Sequence, residues 1–229
     1  KIKIMKKLSL FAIIIFASFL NLSAQTIFTS YAFNIEPKDQ TTVLQLYKNY
    51  FEKHPNKGVT ATLYENHFKG EQVVTHELVF SGPAELMGAG YDSKSSDAWL
   101  LFQSELSKYC KGVSAATGKR ISGFGDTSSA IYPVQDVLFV IIKDEDQYKA
   151  KFDAFWSKNT SPNTRISFGS VGTRIQDGTT HYIVRSYKDF TTKFTDDIQR
   201  AKGYTEMLNS LKEIRTFTTS KTRILLGKW

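Results

Sequence analysis

The chain has 229 residues, is 41% hydrophobic and 23% charged, and carries a formal net charge of +8. That composition is neither disordered nor fibrous, and the length fits one large domain or two of about 100 residues. A single cysteine excludes a disulfide scaffold and Cys-rich zinc or iron–sulfur sites. Four histidines leave little for a His-based metal centre, so neither a metal nor a cofactor is expected.

Lys1 to Ile4 precede Met5, which reads as the translation start. Lys6 and Lys7 form a positive segment, and Leu8 to Leu20 follows without a charge. Thirteen uncharged residues match the length of a signal-peptide core, whereas a membrane span needs about 20 apolar ones. Leu22-Ser23-Ala24 offers a small residue for cleavage, so residues 1–24 are expected to be an export signal. The mature protein would then begin near Gln25, periplasmic or secreted, with no membrane attachment. Removing residues 1–24 takes away four lysines and no acid, lowering the net charge to +4. No basic stripe is left, so nucleic acid is not an expected partner.

Ser30 to Ile35 reads as a strand, and Pro37 opens a helical pattern. Val43, Leu46, Tyr47, Tyr50, Phe51 and His54 recur on one helix face. Val59–Phe68 and Val73–Ser81 read as a hairpin around Lys69-Gly70-Glu71-Gln72. Ser96-Asp97 can cap a helix carrying Phe102, Leu106, Tyr109 and Cys110, and a last strand runs near Ala115–Phe124. The lone Cys110 reads as core.

The same order then recurs. Val137–Ile142 is an uninterrupted apolar run, the pattern of a strand buried on both faces. Asp144-Glu145-Asp146 places negative charge at the start of a helix bearing Tyr148, Phe152, Phe155 and Trp156. Arg165–Gln176 and Thr179–Ser186 flank Asp177-Gly178, a two-residue turn signal. Ser186 is expected to cap a helix carrying Phe190, Phe194, Ile198 and Ala201. Tyr204–Ile214 continues helical, and Thr218–Leu226 is the final strand.

Val74-Thr75-His76-Glu77-Leu78-Val79-Phe80-Ser81 shares Thr, His, Val and Ser with Thr179-Thr180-His181-Tyr182-Ile183-Val184-Arg185-Ser186. The spacing is about half the mature chain. Arg120-Ile121 and Arg223-Ile224 match in the last strand of each half. Each half reads β-α-β-β-α-β, the ferredoxin-like order. The expected fold is α+β: two tandem ferredoxin-like βαββαβ repeats, residues 27–128 and 134–229, packed sheet to sheet as an intramolecular α/β barrel. The sheet face away from the helices carries Thr60, Thr62, Tyr64 and Asn66, or their alternates if the register is shifted by one.

This element order, with Ser186-Tyr187-Lys188-Asp189-Phe190 and Ser81-Gly82-Pro83-Ala84-Glu85 at matching strand-to-helix corners, resembles the dimeric α/β barrel superfamily. The resemblance implies one of several activities: cofactor-free monooxygenase, haem degradation, or lyase or isomerase chemistry. The haem-degrading branch uses a first-strand Asn and a Trp near the second helix, where Asn34 and Trp99 stand here. It also needs a histidine on that helix, and residues 97–112 hold none. Asn34 therefore reads as a strand-end hydrogen-bonding residue and Trp99 as core.

The sequence lacks a G-x-S-x-G elbow, a P-loop lysine pattern, H-E-x-x-H and a complete dinucleotide glycine loop. What remains is a cluster of titratable residues. A turn at Gly70-Glu71 puts Glu65 opposite His76 and His67 diagonal to it, on one face with Val59, Ala61, Leu63 and Leu78. A carboxylate beside a histidine suits general base work. In the second half a tighter turn places Arg174 opposite His181. Arg120 and Arg223 could hold an acidic ligand. The candidate ligand-binding residues are thus Glu65, His67, His76, His181, Arg120 and Arg223, with the pocket expected in the first half. The expected function is small-molecule or partner binding by an exported barrel, as a monomer or weak homodimer. The alternative is a cofactor-independent monooxygenase or isomerase acting on an aromatic or acidic small molecule.

Overall fold

The computed structural model describes residues 25–229 except 56, 71, 93–94, 127–129 and 174–176. The expected signal segment and Arg174 lie outside the described residues. Eight strands follow in chain order: β1 (Thr26–Ile35), β2 (Thr60–Phe68), β3 (His76–Pro83), β4 (Cys110–Gly125), β5 (Val134–Ile142), β6 (Thr164–Val171), β7 (His181–Tyr187) and β8 (Arg215–Lys228). The α-helices are α1 (Gln40–Lys53), α2 (Ala84–Asp92), α3 (Asp97–Leu106), α4 (Glu145–Trp156), α5 (Phe190–Thr195) and α6 (Tyr204–Leu211).

The strand order is β1-β3-β2-β8-β5-β7-β6-β4, closed into a barrel. Each half keeps the ferredoxin-like order, β4-β1-β3-β2 and β8-β5-β7-β6. The halves join edge to edge through β2–β8 and β4–β6, both antiparallel. Advancing every strand by four places exchanges these two seams, which is the signature of a pseudo-twofold. Closure leaves no free sheet edge, where unpaired backbone groups would invite aggregation.

Strand alternation sorts side chains to two faces. Ala61, Leu63 and Leu78 point outward to a core with Val43, Tyr47, Phe51 and Phe102. Ile166, Phe168 and Ile183 point outward to a second core with Tyr148, Phe152 and Trp156. Thr62, Tyr64 and Asn66 point the other way, into the barrel, which is the first of the two registers the sequence left open. There Glu77 of β3 contacts Lys221 of β8 and bonds Arg223 Nη1 at 2.9 Å.

Several expected boundaries shift. Residues 84–92 form α2, which begins at the strand-to-helix corner Ser81–Glu85. Cys110 begins β4 rather than ending a helix; it is half-buried against the first core, and burial pushes its thiol up to about 12. The helix expected from Ser186 is instead capped by Asp189, whose side chain accepts from Thr192 N at 2.6 Å. It ends after six residues, and a separate 3₁₀ turn covers Ile198–Arg200.

Candidate functional site

The repeated Thr-His pair is the first element built twice. Thr75 Oγ1 accepts from Ile35 N at 2.9 Å, and Thr180 Oγ1 accepts from Ile142 N at 2.9 Å. The same hydroxyls meet His76 Nδ1 at 2.9 Å and His181 Nδ1 at 2.7 Å. In each half the pair therefore ties the start of the third strand to the end of the first. Both imidazoles face the helices. His76 stacks on Phe33 and His181 on Phe168, with centroids 6.1 and 5.7 Å apart.

The expected cluster shares this outward face but divides into two environments. Glu65 stands opposite His76 in the register. His76 is fully buried, its Nε2 has no partner among the described residues, and burial pushes its pKa down. Glu65 instead pairs with the exposed His67 at 3.4 Å. In the second half Ser170 lies opposite His181, and His181 Nε2 meets Glu145 at 3.0 Å. Arg120 is exposed with its guanidinium over Gly123. Arg223 stacks on Tyr64 at 3.9 Å inside the barrel. Both arginines act on Tyr182, whose phenol burial pushes up to about 12 while the two cations pull it down. Asn34 Oδ1 accepts from Thr75 N at 3.0 Å, and Trp99 packs on Tyr50 and Phe102.

None of the six expected residues lines a cavity that the described residues form in the second half. This cavity, about 360 Å³, lies in the second half between the outward faces of β5, β6 and β7 and the helices α4 and α6. Leu138, Ile166 and Ile183 form its sheet side; Tyr148, Phe152 and Trp156 of α4 form an aromatic wall. Over the first-half sheet the corresponding region holds a ladder of rings. Tyr50 stacks on Phe102 at 4.4 Å, and Phe51 stacks on the C-terminal Trp229 at 5.4 Å.

Charged groups converge at one end of the cavity. Arg185 of β7 stands opposite Asp136 of β5. Its Nη2 reaches the two Asp196 oxygens at 2.7 and 2.6 Å, and both side chains are buried. The guanidinium lies 5.1 Å from the Trp156 ring and 5.6 Å from the Tyr187 ring. Lys193 reaches both Asp136 oxygens at 2.6 Å, and Thr222 Oγ1 donates to one of them at 2.6 Å. Tyr187 donates to the other at 3.2 Å, and burial raises its phenol well above its ordinary value. Burial likewise raises Asp196, while Arg185 opposes that shift. Arg215 lines the cavity with Phe217, whose ring it covers at 4.3 Å. No histidine lines this cavity among the described residues.

The sequence did hold a signal for this site. Within the repeated octapeptides, Phe80 of the first half corresponds to Arg185 of the second. Phe80 packs on Phe51 and Trp99; Arg185 puts a buried cation at the same place.

No protein-family model and no curated protein matches the chain. Solved structures do. A proposed monooxygenase from Fusobacterium nucleatum is 13% identical with a TM-score of 0.64, over 90% of this chain and 95% of that one. A proposed monooxygenase from Lactobacillus acidophilus is 13% identical with a TM-score of 0.55, over 89% and 95%. An anthrone oxidase-like protein is 9% identical with a TM-score of 0.57, over 91% and 94%. The chain has the fold of the dimeric α/β barrel superfamily, with both ferredoxin-like units in one polypeptide.

Proposed function

We propose that this protein binds a small, largely apolar molecule in the second-half cavity, and that binding is its primary role. The observation that supports this is a cavity of about 360 Å³ with an aromatic wall and charged side chains gathered at one end. Ligand sites commonly combine apolar lining with a few placed polar groups in this size range. A thermal-shift screen of aromatic acids, phenols and their neutral analogues tests it. A ligand of the folded state raises the melting temperature by mass action, and Ile183→Trp, which fills the cavity, should abolish the rise. A rise that survives Ile183→Trp places the ligand elsewhere and overturns the reading.

A second reading, a cofactor-free monooxygenase, is favoured by one feature. Asp196 is a buried carboxyl that lines the cavity, raised by burial against the opposing pull of Arg185, and a carboxylate so placed is within reach of a bound ligand's proton. Oxygen uptake with the bound ligand, lost in Asp196→Asn with binding retained, would support it.

We further propose export directed by residues 1–24, with the mature chain starting near Gln25 as a monomer or weak homodimer. Intact-mass analysis of periplasmic protein and size-exclusion chromatography test these. A mass that retains residues 5–24 refutes cleavage.

A further inference from the structure

We propose that the ligand of this cavity is an aromatic monoanion, and that Arg185 holds its negative group. The proposal rests on the cavity reading above and deepens it.

Arg185 is 8% exposed, yet only part of its donor set is used. Nη2 serves Asp196, while the buried Nε has no hydrogen-bond partner among the described residues. A guanidinium offers five donors in a rigid fork matched to carboxylate and phosphate oxygens. A buried donor without a partner is rare in a folded protein. Here it belongs to a residue that lines the cavity, which is where a ligand oxygen would supply the missing acceptor.

Charge points the same way. The lining carries Arg185, Lys193 and Arg215 against Asp136 and Asp196, an excess of one positive charge. A single anionic group neutralises it. In a poorly solvated site that match is worth more than it would be in water. The shape of the remaining wall selects the rest of the ligand. The Trp156 ring lies beneath the guanidinium, and Tyr148 and Phe152 extend the aromatic surface from there along α4. A flat ring attached to a carboxylate can stack on this wall while its charge reaches Nε.

The test compares 2-naphthoate with 2-naphthamide, nearly equal in shape and different in charge, by calorimetric titration of the full chain. Wild type should bind naphthoate about 10- to 100-fold more tightly than the amide, the span expected for a hydrogen bond to a charged group. Arg185→Gln should erase that preference by weakening naphthoate and leaving the amide unchanged. Because Arg185→Gln strands the Asp196 carboxylate, the paired variant Arg185→Gln/Asp196→Asn repeats the measurement with no buried charge left over. Equal affinity of wild type for both probes, with both lost in Ile183→Trp, overturns the anion proposal and leaves the cavity reading standing. A naphthoate preference that survives the paired variant also overturns it. Failure of both probes to bind wild type, or binding that survives Ile183→Trp, removes the cavity reading and this proposal together.

Discussion

Thr75 and Thr180 each use one hydroxyl to accept a backbone N–H and to meet a histidine ring. That double use accounts for the repeated dipeptide without any catalytic role. The two histidines then diverge. His181 has Glu145 within 3.0 Å, whereas His76 is buried with Nε2 unpartnered. Burial lowers the His76 pKa, with Glu65 opposing and Lys69 adding to the effect, so the folded chain binds a proton at this ring less readily than the unfolded chain does. The unfolded chain takes up a proton near the ordinary value of about 6.5. Below that pH the unfolded state binds the extra proton, so stability is fully present above about 6.5 and is lost as the pH falls. Urea unfolding at pH 7.5 and 5.5 should show this loss, and His76→Gln should reduce it. An unchanged pH dependence in the variant would show that His76 is not its source. The histidine face was legible in the sequence because hairpin register fixes which residues share a side. The cavity was not. Its charged residues come from β5, β7, β8, α5 and the segment after α5, and no local spacing relates Asp136 to Lys193 or Arg185 to Asp196. The one local trace was Arg185 replacing Phe80 between two otherwise matching octapeptides.

At the scale of elements, regular strands and long amphipathic helices followed their periodicity, as α1 and α4 show. The segment after β7 did not. Apolar residues at 190, 194, 198 and 201 suit one helix, but Asp196 turns out of it in extended conformation, and its buried side chain pairs with Arg185. A tertiary ion pair overrides the local pattern there and helps shape the cavity. The β4–β6 seam has a different logic. A Cβ at Gly169 would strike the Lys119 carbonyl oxygen and the Tyr182 hydroxyl. This glycine lets a large phenol lie against the strand beside it inside the barrel. Gly169→Ala should therefore cost about 1–3 kcal/mol through overpacking, read as a lower urea midpoint. Adding Tyr182→Phe should recover part of the loss by removing the hydroxyl, one of the three atoms that crowd the new methyl; the Tyr182 ring carbon Cζ and the Lys119 carbonyl oxygen remain. No recovery would assign the cost to those two remaining atoms.

For the whole molecule, the question is what makes two ferredoxin-like halves one cooperative unit. Backbone ladders close both seams, but ladders alone tolerate register slips where side chains do not fix the pairing. Inside the barrel Glu77, from the first half, grips Lys221 and Arg223, from the second. All three are buried or nearly so. Burial and the neighbouring Arg223 push Lys221 down to about 7, and its side-chain nitrogen contacts the Glu77 carboxylate. Arg223 has further support from Gln135 Oε1 at 2.9 Å and from the Tyr64 ring. Such a network adds little net stability over an apolar replacement, yet removing one member leaves the others uncompensated. Glu77→Gln should thus cost about 3–5 kcal/mol in urea unfolding. The double variant Glu77→Leu/Lys221→Met should cost less than this single change, because it removes the stranded ammonium and leaves Arg223 its contacts with Gln135 and Tyr64. A loss below about 1 kcal/mol in Glu77→Gln, or a double variant no better than the single, would show that the seams hold the halves together without this tie.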